Sequence, residues 1–154
     1  MIGPGTIAQT AAPQESAPHV ISDQDLNLLR QDIRSQGKQL IAVNLKLTDQ
    51  EATKLWPVYD QYVSKLITIN NKKFGLIQGY ADSYGKLTNE QSLSFIRQWL
   101  DMDIEVAQLR QKYIPLVSKV LDGKKSATFF QLDRRIAMMI GLQLSSRMPL
   151  VQAQ

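Results

Sequence analysis

After residue 22 the apolar residues of this chain recur at helical spacing. The clearest stripe is Leu55, Tyr59, Tyr62, Leu66, Ile69, Ile77, Tyr80 and Tyr84, which holds a period near 3.6 for about eight turns. Before it, Leu26, Leu29, Ile33, Leu40 and Val43 mark an earlier helix interrupted by Gly37. After it, one helix carries two seams. Phe95, Trp99, Met102, Val106, Leu109, Tyr113 and Leu116 form the first; Leu93, Ile96, Leu100, Ala107, Ile114, Val117 and Leu121 form the second. So broad an apolar face predicts contact with more than one helix. A final helix runs until Pro149 stops it. The pattern predicts an all-α fold of four helices and no strand.

Start and stop signals bound these elements. Ser22 can cap the first helix, with Asp23 and Asp25 suited to its positive end. Thr48-Asp49-Gln50-Glu51 reads as a capping box, in which the threonine oxygen accepts from the fourth residue's amide and Glu51 reaches back. Thr88-Asn89-Glu90-Gln91 repeats it forty residues later, and each box follows a leucine, Leu47 or Leu87. Gly85 suits a helix end and Asp122-Gly123 breaks the chain again. Two long helices are expected over about 49–84 and 89–121, with flanking helices over about 23–43 and 124–147. Each long helix would measure about 50 Å, and the short link at Gly85-Lys86-Leu87 makes them antiparallel. Pro57 lies 29 residues before Lys86 and Pro115 lies 29 after it. Two proline kinks at one height predict a bent, elongated hairpin with a concave face.

Residues 1–22 differ in kind. Three of the six prolines fall before residue 19, among Ala, Gln, Thr and Ser without apolar periodicity, so a disordered N-terminal tail is expected there. Residues 23–148 then form one helical domain and 149–154 a C-terminal tail. The first segment lacks the charged and apolar regions of an export signal, but it is the kind of tail that follows a removed one.

Composition narrows the chemistry. The 154 residues include no cysteine and one histidine, His19, in the tail. That removes thiolate nucleophiles, disulfides, cysteine metal sites and any plan needing two imidazoles. Phosphate-cradling glycine loops, HExxH and GxSxG are absent, so no enzyme, catalytic residue, metal or cofactor is expected. The net charge of +4 comes from 18 basic and 14 acidic residues mixed along the chain, which does not suit a nucleic-acid footprint. No segment is apolar enough for a membrane span.

Weaker features read mainly as structure. Asp101, Asp103 and Glu105 form a solvated acidic face, with Arg97 available to Asp101. Asp60 has no catalytic companion. Gly75 and Gly79 make a GxxxG spacing that predicts close helix approach. The last helix is apolar almost all round. Phe129, Phe130, Met138 and Met139, with Arg134 and Arg135 between them, are the candidate client or dimer surface, or else the centre of the bundle.

The second box, Leu87-Thr88-Asn89-Glu90-Gln91, resembles the LTxxQ motif of the Spy/CpxP group of small periplasmic helical proteins. The first, Leu47-Thr48-Asp49-Gln50-Glu51, departs from it by carrying Glu51 where the motif has glutamine. Leu55-Trp56-Pro57-Val58-Tyr59 is similar to a Trp-Pro-x-Tyr stretch in secreted helical proteins without an assigned activity. The resemblance spans roughly residues 25–147. It implies a curved homodimer in the bacterial envelope, periplasmic or secreted, that binds unfolded proteins without ATP or modulates a stress response. The competing expectation is a structural or regulatory dimer, or a module for one dedicated partner, without general chaperone activity.

Overall fold

The computed structural model describes residues 23–146 and 150–151, with side chains described for residues 24, 35–142, 150 and 151. The expected tails at 1–22 and 149–154, with His19, the Ser22 cap and Pro149, lie outside the described residues, except for Leu150 and Val151. Among the described residues there are four helices and no strand: α1 (Asp23–Leu45), α2 (Asp49–Asp82), α3 (Asn89–Ser118) and α4 (Gly123–Ser146).

Both long helices begin where local chemistry dictates. Thr48 Oγ1 accepts from the Glu51 amide at 3.2 Å, and Glu51 Oε2 accepts from the Thr48 amide at 3.1 Å. Thr88 and Gln91 repeat the exchange at 3.1 and 3.0 Å. Each box satisfies two amides that a helix start leaves without partners. Lys46, with φ 47°, turns the chain out of α1, and Gly85, with φ 74°, takes the left-handed position of the hairpin turn, where a glycine carries no steric cost. Asp122 Oδ1 accepts from the Lys125 amide at 2.8 Å and so caps α4. The predicted starts at 23, 49 and 89 hold, and the other five boundaries shift by one to three residues. The largest shift is at the end of α3, which stops at Ser118 instead of 121, three residues past Pro115.

α2 and α3 form the most extensive helix pair, and their antiparallel register can be followed along its length. Tyr62 lies beside Tyr113 with ring centres 5.3 Å apart, Lys72 reaches Glu105 at 3.2 Å, and Tyr80 stacks on Phe95 at 4.5 Å. Continued toward the open end, this register sets Pro57 opposite residues 118–119, within about one turn of Pro115. α1 packs on α4 and α2, and α4 also touches α3. The core follows from that arrangement. Ile41 of α1, Leu55, Tyr59, Tyr62 and Leu66 of α2, Leu109, Tyr113 and Val117 of α3, and Phe129 of α4 are all buried in one cluster. Nearer the hairpin turn, among the described residues, α2 and α3 pack on each other through Ile77, Tyr80 and Phe95. α2 runs through Pro57 and α3 through Pro115 without a break in helix.

Candidate functional site

The candidate surface on α4 divides in two. Phe129 is fully buried and serves as an aromatic hub, edge-on to Tyr59 at 6.1 Å and to Phe130 at 5.0 Å. It therefore belongs to the core and not to a binding face. Phe130 is half-buried, Arg134 and Arg135 are exposed, and Met138 and Met139 are 59% and 54% exposed. The split follows from α4's neighbours, which cover its first half at Phe129 and leave Met138, Met139 and Leu142 open.

Between the second half of α4 and the α2–α3 hairpin runs a groove of about 460 Å³. Val63, Leu66, Phe74, Val106, Ile136 and Met138 give it an apolar lining, and Lys73, Arg110 and Arg134 stand along it as cations. Its floor carries a polar network that the apolar pattern concealed. Oδ2 of buried Asp133 accepts from the Tyr62 hydroxyl at 2.7 Å and from Arg110 Nε at 2.8 Å. Burial, reinforced by the Asp133 charge, pushes the ionisation of Tyr62 well above its ordinary value, and burial does the same to Tyr59. Both phenols are held neutral. An Asp immediately before the Arg134-Arg135 pair was the only sequence sign of this network.

Glu51 explains its own departure from glutamine. The same Oε2 that closes the capping box accepts from Lys125 Nζ of α4 at 2.7 Å. The hydrogen bond from Lys125, then that from the Thr48 amide, holds the Glu51 carboxyl below the usual range. Gln91 caps α3 as expected, and Leu47 and Leu87 are both half-buried beside their boxes.

Two expectations are corrected. The pair expected between Arg97 and Asp101 is not among the ion pairs of the described residues. Asp103 instead bridges to Lys73 at 2.7 Å and Glu105 to Lys72 at 3.2 Å, because the antiparallel register brings those lysines alongside. Gly75 and Gly79 do not mark a close helix approach: a Cβ at either would meet nothing within 4 Å. They form one wall of an open groove of about 650 Å³, shared with Leu76, Tyr80, Phe95 and Met102, whose lining among the described residues comes from α2, α3 and the link between them. α3 does meet two helices, α2 and α4, as its broad face predicted, but part of its second seam is left open among the described residues. Val117 and Leu121 are buried, but Leu93, Ile96, Leu100, Ile104 and Ile114 are 44% to 54% exposed, because α1 and α4 lie on other sides of the hairpin. Asp60 pairs with Lys38 of α1 at 2.8 Å.

Among the described residues no group of three or more His, Asp or Glu side chains is placed to hold a metal ion, and no helix is long and apolar enough to cross a membrane. Comparison of the chain with protein-family models, with curated proteins and with solved structures finds no match.

Proposed function

We propose that this protein is a non-enzymatic binding protein of the bacterial envelope, akin to the Spy/CpxP group, that holds exposed apolar segments of unfolded or partner proteins without ATP. The observation that carries this reading is the groove beside α4. It is apolar along its lining, open at Met138, and edged by Arg134, the groove cation that takes part in none of the ion pairs of the described residues. Methionine side chains adapt to many apolar shapes at little cost, which suits a surface that must accept more than one sequence. Arg134 attracts acidic client segments over a range that salt shortens.

Binding is reversible burial of client apolar groups, and no cofactor takes part. The periplasmic or secreted location belongs to the same proposal and is supported by the LTxxQ-like boxes. The test is light scattering from a chemically denatured model protein diluted into low-salt buffer. An equimolar amount of this protein should suppress aggregation, and Met138→Asp with Met139→Asp should remove most of that effect. Unchanged aggregation at equimolar protein overturns the reading. The second reading, a structural or regulatory dimer, is favoured by one specific feature, the continuous uncovered stripe along α3. A native protein that binds no hydrophobic dye once dimeric would favour it over the first.

A further inference from the structure

The outward face of α4 carries cations and exposed apolar side chains but no carboxylate. Lys124, Arg134 and Arg135 are exposed, and Met138, Met139 and Leu142 are 59%, 54% and 72% exposed. At 3.6 residues per turn these six share an arc of about 140°. Ser126, Phe129, Leu132 and Asp133 lie on the other side of the helix and are buried. Asp133 is the one acidic residue in the sequence of α4, and it is bonded to Arg110 and Tyr62. The other long helices differ. α2 exposes Asp49, Asp60 and Asp82 among its cations, and α3 exposes Glu90, Asp101 and Asp103.

Charge and apolar surface are also ordered along α4. Arg134 and Arg135 come first and Met138, Met139 and Leu142 follow, all within about 12 Å of helix axis. None of Lys124, Arg134 and Arg135 takes part in the ion pairs of the described residues. This order matches the boundary of an anionic bilayer. Arginine stems lie along apolar surface while their heads reach phosphate, and the adjoining apolar tips enter the acyl boundary. Flexible methionines conform to fluid chains. A protein partner is served less well. The face is the convex ridge of one helix, without walls to enclose a peptide. Beyond Arg135 its exposed described side chains offer a partner's backbone no donor and only the weak thioether acceptors.

We infer that the outward face of α4 docks this protein on an anionic phospholipid surface, with Arg134 and Arg135 at the phosphates and Met138, Met139 and Leu142 in the interface. No described helix is long and apolar enough to cross a membrane, so the contact is with the surface. The inference does not rest on client binding. Arg135, Met139 and Leu142 lie outside the lining of the groove beside α4.

Flotation of the full chain with lipid vesicles tests it. In about 20 mM salt the protein should float with vesicles of equal parts phosphatidylglycerol and phosphatidylcholine, and not with phosphatidylcholine alone. Each cation at an anionic surface is worth about fivefold in affinity, so Arg134→Gln with Arg135→Gln should weaken binding about 30-fold. Lys54→Gln with Lys112→Gln removes the same charge from exposed positions of α2 and α3, and should weaken it less than about threefold. Leu142→Asp should weaken vesicle binding and leave suppression of aggregation intact. In this cysteine-free chain a polarity-sensitive dye on Met139→Cys should shift to the blue with anionic vesicles, and one on Gln61→Cys of α2 should not. Protein that stays behind when anionic vesicles float overturns the inference. So does equal weakening by the two charge-matched pairs, or equal binding to both kinds of vesicle. Binding to poly-glutamate without binding to vesicles also overturns it, and assigns the face to an acidic protein.

Discussion

The Tyr62 hydroxyl donates to Asp133 Oδ2 across 2.7 Å, joining residues 71 positions apart through the middle of the bundle. The same oxygen receives Arg110 Nε, so one carboxylate oxygen ties α2, α3 and α4 together. Removing Asp133 would leave a half-buried guanidinium and a buried phenol without their acceptor. Asp133→Ala is therefore expected to cost about 2–4 kcal/mol. Tyr62→Phe, which removes only one donor, should cost about 1 kcal/mol. Urea titrations followed by circular dichroism measure both. Equal losses for the two would mean that Arg110 gains nothing from Asp133.

The same burial fixes the behaviour in alkali. Tyr59 and Tyr62 keep their protons in the folded chain at pH values where the unfolded chain releases them, since both ionisations are raised. Above the ordinary tyrosine value near 10, the unfolded state binds fewer protons than the folded one, and stability must fall as pH rises. Below that value their contribution is complete and flat. Melting temperatures measured from pH 8 to 11.5 should decline only beyond about pH 10. Tyr62→Phe should make that decline shallower, because one of the two linked protons is gone.

At the other end of the pH scale the relevant group is Glu51. Its carboxyl is held low by Lys125 and by the Thr48 amide, so its contribution is present above the ordinary carboxyl value and fades as pH falls through its folded value. Glu51→Gln keeps the capping box but gives up the ionic bond to Lys125. Its stability should depend less on pH between about 5 and 3 than that of the wild type, while Glu51→Ala should be less stable than Glu51→Gln throughout. A Glu51→Gln melt with unchanged acid dependence would remove Lys125 from this account.

What could be read in the sequence divides along these same residues. The capping boxes, the four helices and the hairpin link were legible because each depends on neighbours within about four positions. The Asp133 network and the Glu51–Lys125 bond were not, because they join residues from 23 to 74 positions apart. The α3 seam falls between the two cases. Leu93, Ile96 and Leu100 announce that something should cover them, but the same spacing serves a helix of the same chain or of another copy. Only the positions of α1 and α4 show that the described helices do not supply the cover. For the same reason Phe129 and Met139, alike in hydrophobicity, could not be told apart until the packing of α4 was known.

Three glycines in the helices should answer differently to the same substitution. A Cβ on Gly37 would run into the Tyr59 hydroxyl, with Ile136 close behind, so Gly37→Ala is expected to lose about 1–3 kcal/mol despite alanine's better helix propensity. Gly75 and Gly79 have open space where the Cβ would go, and alanine there should gain about 0.5–1 kcal/mol each. Thermal melts of the three single variants decide it. A stabilised Gly37→Ala would show that α1 and α2 are not in contact at this point in solution.

The two prolines, placed symmetrically in the sequence, are not equivalent in the helices they occupy. Pro57 is the ninth residue of α2 and has 25 helical residues after it, whereas α3 ends three residues beyond Pro115. A proline removes the amide that would bond four residues back and presses on the preceding turn. At Pro57 any deflection is carried along most of a helix about 50 Å long; at Pro115 it moves only the final turn. Bending of the hairpin should therefore depend on Pro57 almost alone. Pro57→Ala is expected to lengthen the maximum dimension in small-angle scattering and to stabilise by about 1–2 kcal/mol, below the roughly 3 kcal/mol of an unadapted helix, because both prolines sit on exposed faces. Pro115→Ala should leave the scattering curve unchanged. If the two variants alter it equally, the curvature comes from both ends of the hairpin, and the shortened end of α3 is not what limits it.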